Sequence, residues 1–190
     1  MHTREFTMVE WYRAGAGYLE LIDDVKEVVS ACATTLGTVL PPFETWSYAD
    51  LFERFGGGVA PEDPLERQRV WVNDIEQRLN APTFVTDYPA DEAAFSEIRG
   101  PIAERFEFYF KGVELANAFS ELRDPVELRD RWEANNAARE RQGFAPHPID
   151  ERLVQAVGAH PRAAGIALGL DRLVYVLCNL DDIRQSQIPG

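Results

Sequence analysis

The chain has 190 residues, a size that suits one domain, and 45% of them are apolar, enough for a core of its own. Its net charge of -13 argues against broad electrostatic binding to nucleic acid, because neutralising phosphates takes a surplus of Lys and Arg on one face. No apolar run approaches the ~20 residues of a membrane span, and the opening MHTREFTMVEWY turns acidic at once without the apolar core of a secretory leader, so a cytoplasmic protein is expected.

In chain order, residues 5–12, EFTMVEWY, alternate and predict a strand, with Phe6, Met8, Glu10 and Tyr12 on one face and Glu5 on the other. Gly15 and Gly17 break it. Residues 18–35 carry Leu19, Ile22, Val25, Val29 and Cys32 at helical spacing and read as a packing helix. Ala49–Phe55 predicts a short helix closed by Gly56-Gly57-Gly58, and 62–79 a further helix with Leu65, Val70, Ile75 and Leu79 as its apolar contacts. This middle region shows no recognisable chemistry. Thr83–Tyr88 reads as a short strand. Two strand-like runs within 102–121 flank Lys111-Gly112, a hairpin signal that sets Phe110 opposite Val113 and Tyr109 opposite Glu114. Pro125–Gln142 predicts a charged helix capped by Asp124, and Ile149–Val157 another with Asp150 and Glu151 in its first turn. The small-residue strand Ala164–Leu170 then runs straight into an apolar helix beginning at Asp171. Cys32 and Cys178 stand in apolar helical stretches and read as buried, reduced thiols. His2, His147 and His160 share no metal-ligand spacing, which argues against a zinc site.

Three features carry candidate chemistry. The hairpin makes Glu107 and Glu114 diagonal neighbours on one sheet face, where two carboxylates repel each other unless a cation sits between them. That pattern suits Mg²⁺ shared with phosphate oxygens, and it equally suits a solvated outer face. Glu114, Asn117 and Glu121 share one face only if a bulge or bend interrupts the strand near Ala116–Ala118. In GIALGLDRL, 165–173, Gly165 and Gly169 leave room for a planar ligand against the backbone, with Arg172 beside it to stack on a base or clamp phosphate. A glycine-permitted packing joint would look the same. On the first strand, Phe6, Glu10 and Tyr12 offer a ring, a carboxylate and a phenol to an adenine and a cationic amino acid, or form an ordinary half-buried strand.

Taken together and in this order, the three segments resemble a known family. Residues 2–12, HTREFTMVEWY, resemble the stretch after the motif 2 arginine in class II lysyl-tRNA synthetases; 104–121, ERFEFYFKGVELANAFSE, resemble their ATP and amino-acid hairpin; 165–173 resemble motif 3. The likeness covers nearly the whole chain. It implies an α+β fold with an antiparallel sheet flanked by helices, residues 1–190 forming the part of the catalytic domain from the end of motif 2 to motif 3. In the family, motif 1, which builds the homodimer interface, and the motif 2 arginine precede this stretch. The resemblance therefore implies a missing N-terminal half and weak or absent activity unless a partner supplies the rest, and His2-Thr3-Arg4 stands where the family has His-Asn-Pro. Within the family, EFTMVEWYR, FYFKGVELANAF, RQGFAPHPID and ALGLDRLV are most similar to the short lysine ligases that modify elongation factor P. Ala167 stands where lysyl-tRNA synthetases usually carry Gly.

The resemblance implies activation of lysine or β-lysine by ATP and Mg²⁺ and transfer to a lysine of elongation factor P, with tRNA the less favoured acceptor. His2, Phe6, Glu114, Leu115, Gly169 and Arg172 would bind ATP, with Phe6 stacking on adenine and Arg172 the catalytic cation at the phosphates. Glu10, Tyr12, Asn117, Glu121 and Ala167 would form the amino-acid pocket, Glu121 and Tyr12 meeting the distal ammonium. Glu107 and Glu114 would hold Mg²⁺. A fragment of a lysyl-tRNA synthetase and a non-catalytic binding module are the two rival expectations.

Overall fold

The computed structural model describes residues 5–187. A seven-stranded sheet is made of β1 (Met8–Ala14), β2 (Glu44–Ser47), β3 (Thr83–Pro89), β4 (Ile98–Arg99), β5 (Ile102–Phe110), β6 (Val113–Ser120) and β7 (Ala163–Gly169). Its order is β1-β7-β6-β5-β3-β2, with β4 paired to β5 alone. Every pairing is antiparallel except β2 with β3, so the expected antiparallel sheet holds with one parallel edge. The helices are α1 (Leu21–Leu36), α2 (Tyr48–Phe55), α3 (Pro64–Val70), α4 (Pro125–Arg141), α5 (Glu151–Ala159) and α6 (Leu170–Leu177). Among the described residues no helix is long and apolar enough to cross a membrane.

Strand alternation separates two environments. One face presents Phe84, Phe106, Phe108, Ala116, Ala118, Ile166 and Leu168, sealed by Leu21, Val25 and Val29 of α1 and by Leu173 and Val176 of α6. Over the other face, α2 and the α3 segment cover only the β3–β5 end, where Tyr48, Phe52, Trp71, Tyr88 and Tyr109 pack as an aromatic cluster. Leu122, Leu128 and Val154 form a small third core that joins α4 to α5.

Several local expectations correspond to observed elements. The Lys111-Gly112 turn has positive φ at both residues (53° and 70°), the geometry that matches strand twist. The register pairs Phe110 with Val113 and Tyr109 with Glu114. Asp124 caps α4 through the Val126 and Glu127 amides, and Asp150 caps α5 rather than lying in its first turn.

Others need correction. The first strand starts at Met8, not Glu5, because β7 ends at Gly169, the partner of Met8, and leaves residues 5–7 no ladder. The expected helix 62–79 is α3 followed by a π turn (Trp71–Ile75) and a 3-10 turn (Glu76–Arg78). Leu65 is exposed, as is Leu19, because each lies off the buried stripe of its segment. β2 has only four residues and shows no alternation long enough to predict. Both cysteines are free thiols, but Cys178, just past the end of α6, is exposed and Cys32 only half-buried.

Candidate functional site

The strand register aligns the polar residues of the open face in rows. Glu10, Ala167, Asn117 and Glu107 are successive cross-strand partners on β1, β7, β6 and β5. The next row is Tyr12, Gly165, Phe119 and Arg105, and Gly169 faces Met8 on the other side of the first. Adjacent rows are two residues apart, about 7 Å along a strand.

A bulge makes this possible. The β5–β6 register shifts between Phe108 and Tyr109, which face Ala116 and Glu114, leaving Leu115 as the extra residue. The interruption expected at Ala116–Ala118 therefore lies one residue earlier. It turns Leu115 into the apolar core and brings Glu114 onto the face shared by Asn117 and Glu121. Of the expected ATP contacts, Leu115 thus keeps its side chain buried, and its carbonyl lies toward Gly169.

Phe6, Glu114, Asn117, Ala167, Gly169 and Arg172 line one cavity of about 320 Å³. Arg172 donates to the Glu114 carbonyl oxygen at 2.9 Å, and its guanidinium is 3.8 Å from the Glu114 carboxylate. Glu114 also borders a second cavity of about 440 Å³, which contains Glu76, Glu107, Tyr88 and Tyr109. Glu114 and the Arg172 guanidinium therefore share one cavity, whereas Glu107 lines the adjoining one, which Glu114 also borders. His2 lies outside the described residues.

The two acids differ in their surroundings. Glu107 accepts hydrogen bonds from Tyr88 at 2.6 Å and Tyr109 at 2.5 Å, and a charged one from Arg105. Among the described residues no side chain donates a hydrogen bond to the Glu114 carboxylate, and Arg172 is its nearest cation at 3.8 Å. Burial, then repulsion from Glu107, raises its carboxyl from the ordinary 4.5 to about 7, against the opposing pull of Arg172 and Arg105. Glu76 is raised as well, by burial and then by Glu107. Sequence reasoning missed Glu76, which belongs to the turn after the π segment, far from the hairpin. The asymmetry fits a divalent cation, since an ion at Glu114 would relieve a repulsion that Arg172 and Arg105 offset only in part. Among the described residues no three His, Cys, Asp or Glu side chains are grouped to hold an ion, so water or phosphate oxygens would complete its shell.

Asn117 contributes a second unmet demand: its Oδ1 is buried and, among the described residues, has no hydrogen-bond partner. Such an atom is costly unless a donor reaches it. Around Gly165 the expectation needs revision. A Cβ there would lie 2.6 Å from Tyr12 Cε1 and would collide with the Glu121 carboxylate. The space is filled by the protein's own phenol and carboxylate, not left for a planar ligand. Gly169 is different, since a Cβ would meet nothing nearer than Arg172 Cδ at 3.6 Å. Burial raises the Glu121 carboxyl, opposed by His160, and burial followed by Glu121 and Glu10 raises the Tyr12 phenol. Glu10, Tyr12 and Glu121 are thus electrostatically joined at the end of the face away from Arg172.

The family model of the class II tRNA synthetases (D, K and N) matches residues 1–188. Similar curated proteins are named elongation factor P–(R)-β-lysine ligase. That of Erwinia tasmaniensis is 35% identical over 96% of this chain and 64% of its own length. That of Vibrio parahaemolyticus is 35% identical over 97% and 65%, and that of Vibrio vulnificus 36% identical over 99% and 67%. The chain therefore spans about two thirds of the length of these relatives.

Proposed function

Because the chain belongs to the class II tRNA synthetase family of the D, K and N type, we propose that it carries the amino-acid and nucleotide sites of an ATP-dependent ligase that activates lysine or β-lysine and transfers it to a lysine of elongation factor P. The observation that carries this reading is the convergence of Glu114 and Arg172 on one cavity, with Glu107 beside it. The names of the relatives favour elongation factor P over tRNA as acceptor. An acceptor of that kind places the reaction in the cytoplasm.

In this reading Phe6 stacks on the adenine, Gly169 borders the ATP and Arg172 meets the phosphates. Glu107 and Glu114 hold Mg²⁺, which supplies charge neutralisation at the triphosphate. Asn117 orients the carboxylate of the amino acid beside Ala167, and Glu10 meets its amino group. The next row, about 7 Å along the strands, receives the distal ammonium between Glu121 and Tyr12. Activation follows when the carboxylate oxygen attacks the α-phosphorus and pyrophosphate leaves. Arg172 stabilises the charge that develops on the phosphoryl oxygens. The acceptor amine then attacks the acyl carbon, loses a proton and displaces AMP.

ATP–pyrophosphate exchange with lysine and with β-lysine, followed by transfer tests with elongation factor P and tRNA, examines the proposal. Exchange with transfer to elongation factor P is the expected result. Efficient tRNA charging would instead mark a synthetase, and absence of both exchange and ATP binding would mark a non-catalytic module.

A further inference from the structure

Asp171 immediately precedes the cavity arginine, yet it is 4% exposed and takes no part in the chemistry above. Its carboxylate Oδ2 accepts a hydrogen bond from the Thr7 amide at 2.9 Å. In return the Leu170 amide donates to the Thr7 carbonyl at 2.9 Å. Farther along, Gln187 Nε2 donates to the Glu5 carbonyl at 2.7 Å. Residues 5–7 have left the sheet and are tied instead to the start of α6 and to the chain beyond it. Phe6 sits in the middle of this strap, two-thirds exposed (68%), with its neighbour Thr7 fastened. Both Phe6 and Asp171 line the cavity that contains Arg172.

A largely exposed ring is a good stacking surface only if its backbone is held, because ordering a free segment on binding costs conformational entropy. We propose that Asp171 is a positioning residue for the nucleotide: its carboxylate fixes the Glu5–Thr7 strap so that Phe6 forms a preset wall for a planar base, in fixed relation to Arg172. One short helix, α6, then sets both the base wall and the phosphate cation. This proposal rests on the nucleotide reading of the cavity.

The test compares Asp171→Ala with Asp171→Asn, whose amide oxygen can still accept from Thr7. Two quantities are measured: ATP affinity by calorimetry, and hydrogen exchange at the Thr7 amide. Asp171→Ala is expected to weaken ATP binding about tenfold, the scale of one lost base stack, and to speed Thr7 exchange. Asp171→Asn is expected to keep both near the parent values, and neither change is expected to alter lysine affinity by more than about twofold. Unchanged ATP affinity in folded Asp171→Ala, or equal weakening in both variants, would overturn the proposal. Should Asp171→Ala fail to fold, Gln187→Ala releases the other end of the strap. A loss of about threefold would support the proposal, and no loss would overturn it. If the parent chain binds no ATP, the nucleotide reading itself fails, whereas slow Thr7 exchange in that parent would leave only the anchor standing.

Discussion

On one face of the sheet Phe106, Phe108, Ala116 and Ile166 lie sealed beneath α1 and α6. On the opposite face, one residue away along the same strands, Glu107, Asn117 and Ala167 stand in a row beside Glu114. Among the described residues, neither buried side-chain polar atom without a hydrogen-bond partner, Arg105 Nε or Asn117 Oδ1, belongs to the sealed face. The open face has a carboxyl raised to about 7, a buried amide oxygen without a partner and a glycine overlaid by a phenol and a carboxylate. Unfavourable polar groups can be held in place because the strands that carry them are fixed from behind by close apolar packing. The difference also explains the bulge at Leu115. Without it, Glu114 would point into the apolar layer and Leu115 into the cavity.

Substitutions can be aimed at each face separately. The largest effect is expected from the sealed side: Phe108→Ala should cost about 3–5 kcal/mol of unfolding free energy in denaturant titrations. ATP affinity of the fraction still folded should stay close to the parent value. Next comes Arg172→Ala on the open side, expected to lower activation rates about 10²–10³-fold in pyrophosphate exchange, as loss of a transition-state cation does. Its midpoint of thermal unfolding should move little, since its side chain is one-third exposed and its ion pair with Glu114 is long, at 3.8 Å. Gly165→Ala should destabilise by roughly 1–3 kcal/mol as Tyr12 and Glu121 are pushed aside, and it should weaken lysine binding more than ATP binding in calorimetry.

The smallest effect is expected in the pH dependence of stability. The folded Glu114 carboxyl titrates near 7 and its ordinary value is 4.5. Between those values the folded state holds the extra proton, so its stability is complete below 4.5 and declines as pH rises through 7. Glu114→Gln should flatten that decline in denaturation curves measured from pH 5 to 8. A parent profile that instead rises over this window would contradict the account of the open face.

The sealed face and the turns were legible in the sequence because each depends on short-range rules. Ile22, Val25 and Val29 repeat at helical spacing, Lys111-Gly112 supplies a turn pair, and Asp124 supplies a cap. The open face was legible only in part. The need for a bulge followed from the spacing of Glu114, Asn117 and Glu121, but its location depends on β5 pairing that no local pattern encodes. Gly165 looked like room for a ligand because its occupants, Tyr12 and Glu121, come from two other segments. Asp171 and Glu76 had no local signature, since the partners that give them meaning, Thr7 and Glu107, lie far away in sequence.

In the proposed function Glu114 and Arg172 form one cation and nucleotide site. Calorimetric titration with ATP and saturating Mg²⁺ at pH 7, in two buffers of different ionisation enthalpy, measures it most directly. Binding should release about half a proton per site, the fraction of Glu114 still protonated at that pH, as the ion takes the carboxylate, and that release should vanish in Glu114→Gln. Binding without proton release, or binding to which Glu114→Gln makes no difference, would contradict it.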